Sequence, residues 1–151
     1  MINLSLYLFV FKDNISLQSI HNLSANEGSF NIHIDKNRHY AHVTFDGEIG
    51  MEIINNAYME LIHNPLFSHN MNVCNDYSKA FLLVSIQEIE KHSNFVAQYA
   101  DQRGSTYKLA LVSNETISTA FLNMYRVLIS KSKVDCEQFS RAKSALRWLE
   151  S

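Results

Sequence analysis

The residues of this sequence best placed to do chemistry stand together at Asp76-Tyr77-Ser78-Lys79, after the largely apolar run Met71-Asn72-Val73-Cys74-Asn75. A carboxylate two residues before a serine hydroxyl makes a candidate phosphoacceptor: phosphate on Ser78 would add negative charge and acceptor oxygens for a partner to read. Asp and Ser are equally common as turn formers through local hydrogen bonds, so the pair is a candidate switch or a plain connection. Just beyond it, Ser85-Ile86-Gln87-Glu88 has the S-x-x-E spacing of a helix capping box. Met71–Glu90 therefore reads as a short buried strand, a polar loop at Asp76–Lys79 and the start of a helix. Loops after strands are where open α/β sheets usually hold ligands or partners.

Other chemistries have thinner support. His33, His39 and His42 are close in sequence, but a two-residue turn at Lys36-Asn37 puts His39 on the opposite sheet face from the other two. They cannot converge on a metal, and no H-E-x-x-H spacing occurs. Cys74 and Cys136 match no metal spacing and read as reduced core thiols. There is no G-x-S-x-G elbow, and the glycines at 28, 47, 50 and 104 supply no phosphate-cradling loop. Catalysis and cofactor binding are not expected. Phe95, Tyr99, Phe121, Met124 and Tyr125, all at helical spacing, are either core or the lining of a pocket for an apolar, lipid-like ligand.

Composition bounds these readings. With 151 residues, 46% of them hydrophobic and 19% charged, the chain has the balance of one globular domain. A formal charge of -2 offers no broad attraction to nucleic acid or anionic membranes. No apolar run approaches the ~18 residues of a spanning helix, and Leu4–Phe11 lacks the flanks of a secretory signal. A cytoplasmic protein is expected.

The elements that must position these residues follow from periodicity. Leu4–Phe11 reads as a strand apolar on both faces within an N-terminal extension, residues 1–27, ahead of one domain over residues 28–151. An apolar edge strand of this kind predicts a homodimer. In the hairpin Phe30–Phe45, the Lys36-Asn37 turn pairs Ile34 with His39, Ile32 with Ala41 and Phe30 with Val43. That register buries Phe30, Ile32, Ile34, Ala41, Val43 and Phe45 on one face. Asp46-Gly47 ends the second strand. Ile49, Ile53, Ala57 and Leu61 form a helical stripe that Asn64-Pro65 stops. Ile86, Ile89, Val96 and Ala100 face inward on a helix closed by Gly104. Lys108–Ser113 is a buried strand, and Ser113 or Asn114 caps a helix packing through Ile117, Phe121, Met124 and Leu128. Val134–Phe139 is a last strand, and Ser140 caps a terminal helix packing through Ala142, Ala145, Leu146 and Leu149. A hairpin followed by strand–helix alternation predicts an α/β fold with a mixed sheet.

The order and spacing of several pieces resemble the SpoIIAA-like superfamily, STAS-type domains related to anti-sigma-factor antagonists. They are Phe45-Asp46-Gly47, His63-Asn64-Pro65-Leu66-Phe67, Asp76 at a strand end, Lys108-Leu109-Ala110-Leu111-Val112-Ser113 and Ala142-Lys143-Ser144-Ala145-Leu146-Arg147-Trp148-Leu149. The resemblance covers about residues 28–151. It implies a non-enzymatic regulatory or protein-interaction module without cofactor. It also implies a partner serine kinase of the anti-sigma type acting at the position of Ser78, next to Asp76. Here Lys79-Ala80-Phe81-Leu82 follows, where the family's best-understood members carry a small glycine-containing turn.

Overall fold

In the computed structural model, which describes residues 27–151, β1 (Ser29–Asp35) and β2 (Tyr40–Ile49) form a hairpin that opens a five-stranded sheet. There follow α1 (Met51–His63), β3 (Asn72–Leu82), α2 (Ile86–Gln98), the single turn α3 (Ala100–Arg103), β4 (Lys108–Val112), α4 (Thr116–Leu128), β5 (Asp135–Phe139) and α5 (Ala142–Leu149). The expected N-terminal arm, with its Leu4–Phe11 strand and the dimer argued from it, lies outside the described residues.

The strands lie in the order β1-β2-β3-β4-β5, the first pair antiparallel and the rest parallel. Three right-handed crossovers in the same direction must put α1, α2 and α4 on one face of the sheet. The buried residues divide accordingly. Ala57 and Leu61 of α1 and Leu122 of α4 join Val43, Phe45, Val73, Tyr77 and Leu111 in the larger core. Ala145 and Leu149 of α5 join Tyr40, Cys74, Ala110 and Val112 in a smaller core on the other face. The mixed α/β sandwich anticipated from the strand–helix alternation is the architecture found.

Local details depart from expectation where backbone geometry overrides pattern. The hairpin has a four-residue turn, Lys36 to His39, and pairs Ile34 with Ala41, Ile32 with Val43 and Phe30 with Phe45. His39 takes a φ of 56° and leaves the ladder, and the Arg38 N–H donates to Asp35 Oδ1. The shift is two residues, an even number, so the same side chains stay on the core face. Strand β2 does not stop at Asp46-Gly47. Gly47 takes a φ of 83°, in the left-handed region open to glycine, and still pairs with Ala80. The strand runs on to Ile49, which is therefore the end of a strand and not the first residue of the α1 stripe.

Helix ends differ too. The α2 capping box is present, with Ser85 Oγ accepting from the Glu88 N–H and Glu88 Oε2 accepting from the Ser85 N–H. Ile86, however, lies outside the box's buried side and is 49% exposed. Helix α2 ends at Gln98, which leaves Ala100 exposed on the separate turn α3, and Gly104 closes that turn at a φ of 88°. Glu115, not Ser113 or Asn114, caps α4, its carboxylate accepting from the Ile117 and Ser118 N–H groups. Ser113 instead closes the preceding turn on Glu115. This start rotates α4 so that Ser118 and Leu122 are buried, while Ile117 and Leu128 are exposed. Arg141 occupies the cap position of α5 in place of Ser140, without a side-chain bond.

Candidate functional site

Two places in the fold gather polar side chains in a way that packing alone does not require. The first is the end of the β3–β4 pairing. Strand β3 does not end before Asp76: Thr44 pairs with Asp76 and Asp46 with Lys79, so Phe45 alone opposes both Tyr77 and Ser78. This is a β-bulge, and it replaces the expected loop. The bulge has a packing cause. Tyr77 is 3% exposed and stacks on Phe45 with ring centroids 4.4 Å apart, an apolar gain that a solvated loop would forgo.

On the opposite face, buried Asp76 accepts from the Ser78 N–H at 3.0 Å and lies 3.2 Å from His42 Nε2. Burial pushes the Asp76 carboxyl up, but the hydrogen bonds from His42 and from the Ser78 hydroxyl and N–H together outweigh it and hold it below the usual range. Ser78 is half-buried and Lys79 exposed. The order in space is serine, carboxylate, imidazole. A nucleophilic serine needs the imidazole next to its own hydroxyl, so this arrangement orients a strand end and does not activate Ser78. Across β1 and β2, His33 pairs directly with His42. Among the described residues, no group of three His, Cys, Asp or Glu side chains is arranged to hold a metal ion.

The second place is a cavity of about 70 Å³ between the sheet and the helices α1, α2 and α4. Apolar side chains such as Val43, Ile54, Val73, Leu111 and Leu122 line most of it. A water needs about 10–15 Å³ of such space, so the cavity admits more than one. Polar side chains also reach it: Tyr58, Asn75, His92, Arg103 and the tyrosines Tyr77, Tyr107 and Tyr125. His92 Nδ1 lies 2.7 Å from Asn55 Oδ1, and burial brings its imidazole down to about 4. The ring is neutral at physiological pH.

Arg103 is the anomaly. It is 2% exposed, its Nη1 has no hydrogen-bond partner, and no carboxylate among the described residues pairs with it. Its guanidinium lies 3.4 Å from the centre of the Tyr107 ring and 5.2 Å from that of Phe67. Burial draws its pKa down, with Tyr107, Tyr58 and Tyr125 opposing, but an arginine stays charged in a protein. Taking such an ion out of water costs several kcal/mol, and stacking on rings returns about 2. The Tyr58 hydroxyl is likewise buried without a partner.

The backbone around Arg103 is tied down. Its carbonyl accepts from the Asn70 N–H at 3.0 Å, and Asn70 Oδ1 accepts from the Thr106 N–H. A side chain on Gly104 would run into Asn70.

Of the pocket residues named from sequence, Phe121 and Tyr125 line the cavity. Phe95 and Tyr99 instead pack around Tyr58, with ring centroids 5.9 and 6.2 Å from it, and Met124 is not part of the lining. Both cysteines are buried, and burial pushes each thiol up to about 12. They are inert at neutral pH. Sequence reasoning passes over Tyr58 and Arg103, because Ala100-Asp101-Gln102-Arg103-Gly104 reads as an ordinary solvated helix end. The one signal is Gly104, whose cap turns the chain back at Arg103 toward the sheet.

No protein-family model matches the sequence, and no curated protein matches it. Among solved structures, the chain is similar to an uncharacterized protein of the DUF3478 family from Shewanella loihica PV-4, described as having a SpoIIAA-like fold. The two share 12% identity over 81% of this chain and 93% of the other, with a TM-score of 0.53. The fold is SpoIIAA-like, as the order of motifs implied. None of the described helices is long and apolar enough to cross a membrane.

Proposed function

We propose that this SpoIIAA-like domain is a binding module, not a catalyst, and that it takes a small apolar ligand between its sheet and the helices α1, α2 and α4. The observation that carries this is the cavity itself. A core is normally filled to the density of an organic crystal, yet here a void lies where three helices meet the sheet. Helix α2 covers it with Ile89 as its one fully buried residue, so a movement of α2 gives the ligand a way in. A panel of monocyclic and short-chain apolar compounds, read by thermal shift and native mass spectrometry, tests the reading. At 100 times its Kd, a ligand adds about 2.7 kcal/mol of stability, a clear rise in Tm. Absence of any shift and of any bound mass across the panel would refute it.

A second reading is favoured by a different observation. Beyond Asp76, β3 has lost β4 as a neighbour and carries Phe81, 38% exposed, toward the 50% exposed Leu83. An exposed apolar segment suits a protein partner, and Ser78 stands at its start, where phosphate would change its charge. On this reading the module is regulatory. Ser78→Asp should then weaken capture of partners in a pull-down while Ser78→Ala retains them; equal capture by both removes Ser78 from any switch.

A further inference from the structure

We infer that the cavity selects a small apolar carboxylate, its acid group held by Arg103 and Tyr58 and its hydrocarbon part by the apolar walls. The inference rests on the ligand-binding reading above and adds to it the chemistry of the head group. Arg103 Nη1 and Tyr58 Oη are the buried side-chain polar atoms left without hydrogen-bond partners among the described residues, and both side chains line the same cavity. Both are donors, one cationic and one neutral, which is the complement of a carboxylate's two acceptor oxygens. His92 adds no positive charge at neutral pH, and Asn75 is uncharged.

The surroundings fix the direction of the guanidinium. Tyr107 covers one of its faces at 3.4 Å, and the Asn70 and Gly104 contacts anchor its backbone. Stacking uses the face of the guanidinium and leaves its N–H edge to bind an anion. A phosphate or sulfate would carry more charge into the same apolar space, with one cation to meet it. A singly charged acid suits that charge. The space is about 70 Å³, against about 150 Å³ for a cavity that takes a benzene, so a ring or short chain also requires α2 to yield.

The test compares matched acids and alcohols on the full chain: benzoate against benzyl alcohol, and hexanoate against hexanol, by isothermal titration at pH 7.5. The acids should bind about 10- to 100-fold more tightly, the worth of a charge-assisted hydrogen bond. Arg103→Gln should abolish that preference, so that the acid and the alcohol of each pair bind within about threefold of one another. Tyr58→Phe should cost the acids about tenfold, more than it costs the alcohols, because the bond to a charged acceptor is the stronger. If Arg103→Gln does not fold, the wild-type comparison and Tyr58→Phe still decide. Alcohols binding as tightly as the acids would overturn the inference and leave the apolar cavity reading standing; binding of neither class would overturn both. An acid preference that survives Arg103→Gln would also overturn it.

Discussion

Replacing Tyr77 with alanine should lower the stability of the domain by about 3–5 kcal/mol, the cost of emptying a buried aromatic site. Tyr77 is 3% exposed and lies 4.4 Å from Phe45 in a near-parallel stack. Domains of this size hold about 5–15 kcal/mol in total, so the variant should be only marginally folded at 37 °C. Its neighbour Ser78 is half-buried, with its hydroxyl and N–H on Asp76, and Ser78→Ala should cost about 1 kcal/mol or less. Urea unfolding of the two variants beside wild type measures the contrast. A Tyr77→Ala variant within about 0.5 kcal/mol of wild type would return these residues to an exposed loop.

The same stretch shows what the sequence hides. Val73, Asn75 and Tyr77 point to the helix-covered face in strict alternation, and Ala80 and Leu82 resume on that face one residue out of step. The extra residue of the bulge breaks the period of two. A broken period containing Asp, Ser and Lys is indistinguishable by pattern from a polar loop. The hairpin was safer, because any even slip of register keeps Phe30, Ile32, Ile34, Ala41, Val43 and Phe45 inside. Strand–helix alternation was legible from stripes such as Ala57 and Leu61, which depend on local spacing alone. Arg103 was not legible, since nothing local tells a buried guanidinium from a solvated one: its burial comes from Tyr107, Phe67 and Tyr58, which only the tertiary fold assembles.

Acid should weaken the domain well above the pH at which carboxylates protonate. His92 titrates near 6.5 in an unfolded chain and near 4 in the fold, because burial penalises the charged ring. The unfolded state thus takes up the proton first. Stability is full above about pH 6.5 and falls as pH drops, with about 3 kcal/mol lost by pH 4. Asp76 adds a second loss at lower pH: its folded carboxyl lies below the ordinary 3.8, so its contribution disappears as pH falls through that region. Substituting His92→Gln separates the two, since glutamine keeps a donor for Asn55 and has no proton to gain. Denaturation midpoints between pH 4 and 8 should slope steeply for wild type and little for the variant. Parallel slopes would mean that His92 is not the group responsible.

Strand order has a bearing on how the domain is made. Each strand from β2 onward pairs with the strand immediately before it in the chain, so every pairing closes one hairpin turn or a single crossover, a modest entropic step. The sheet can grow by addition as the polypeptide leaves the ribosome, and such topologies fold faster than those that must await distant strands. Helix α5 is the exception. Leu149 O accepts from Asn72 Nδ2 and Glu150 pairs with Arg38, contacts 77 and 112 positions apart in the chain. Among the described residues, α5 is the helix that covers Tyr40, Cys74, Ala110 and Val112 on their face of the sheet. The nascent domain therefore remains a sticky half-sandwich until α5 is added, and during that interval it is most exposed to chaperones and to aggregation.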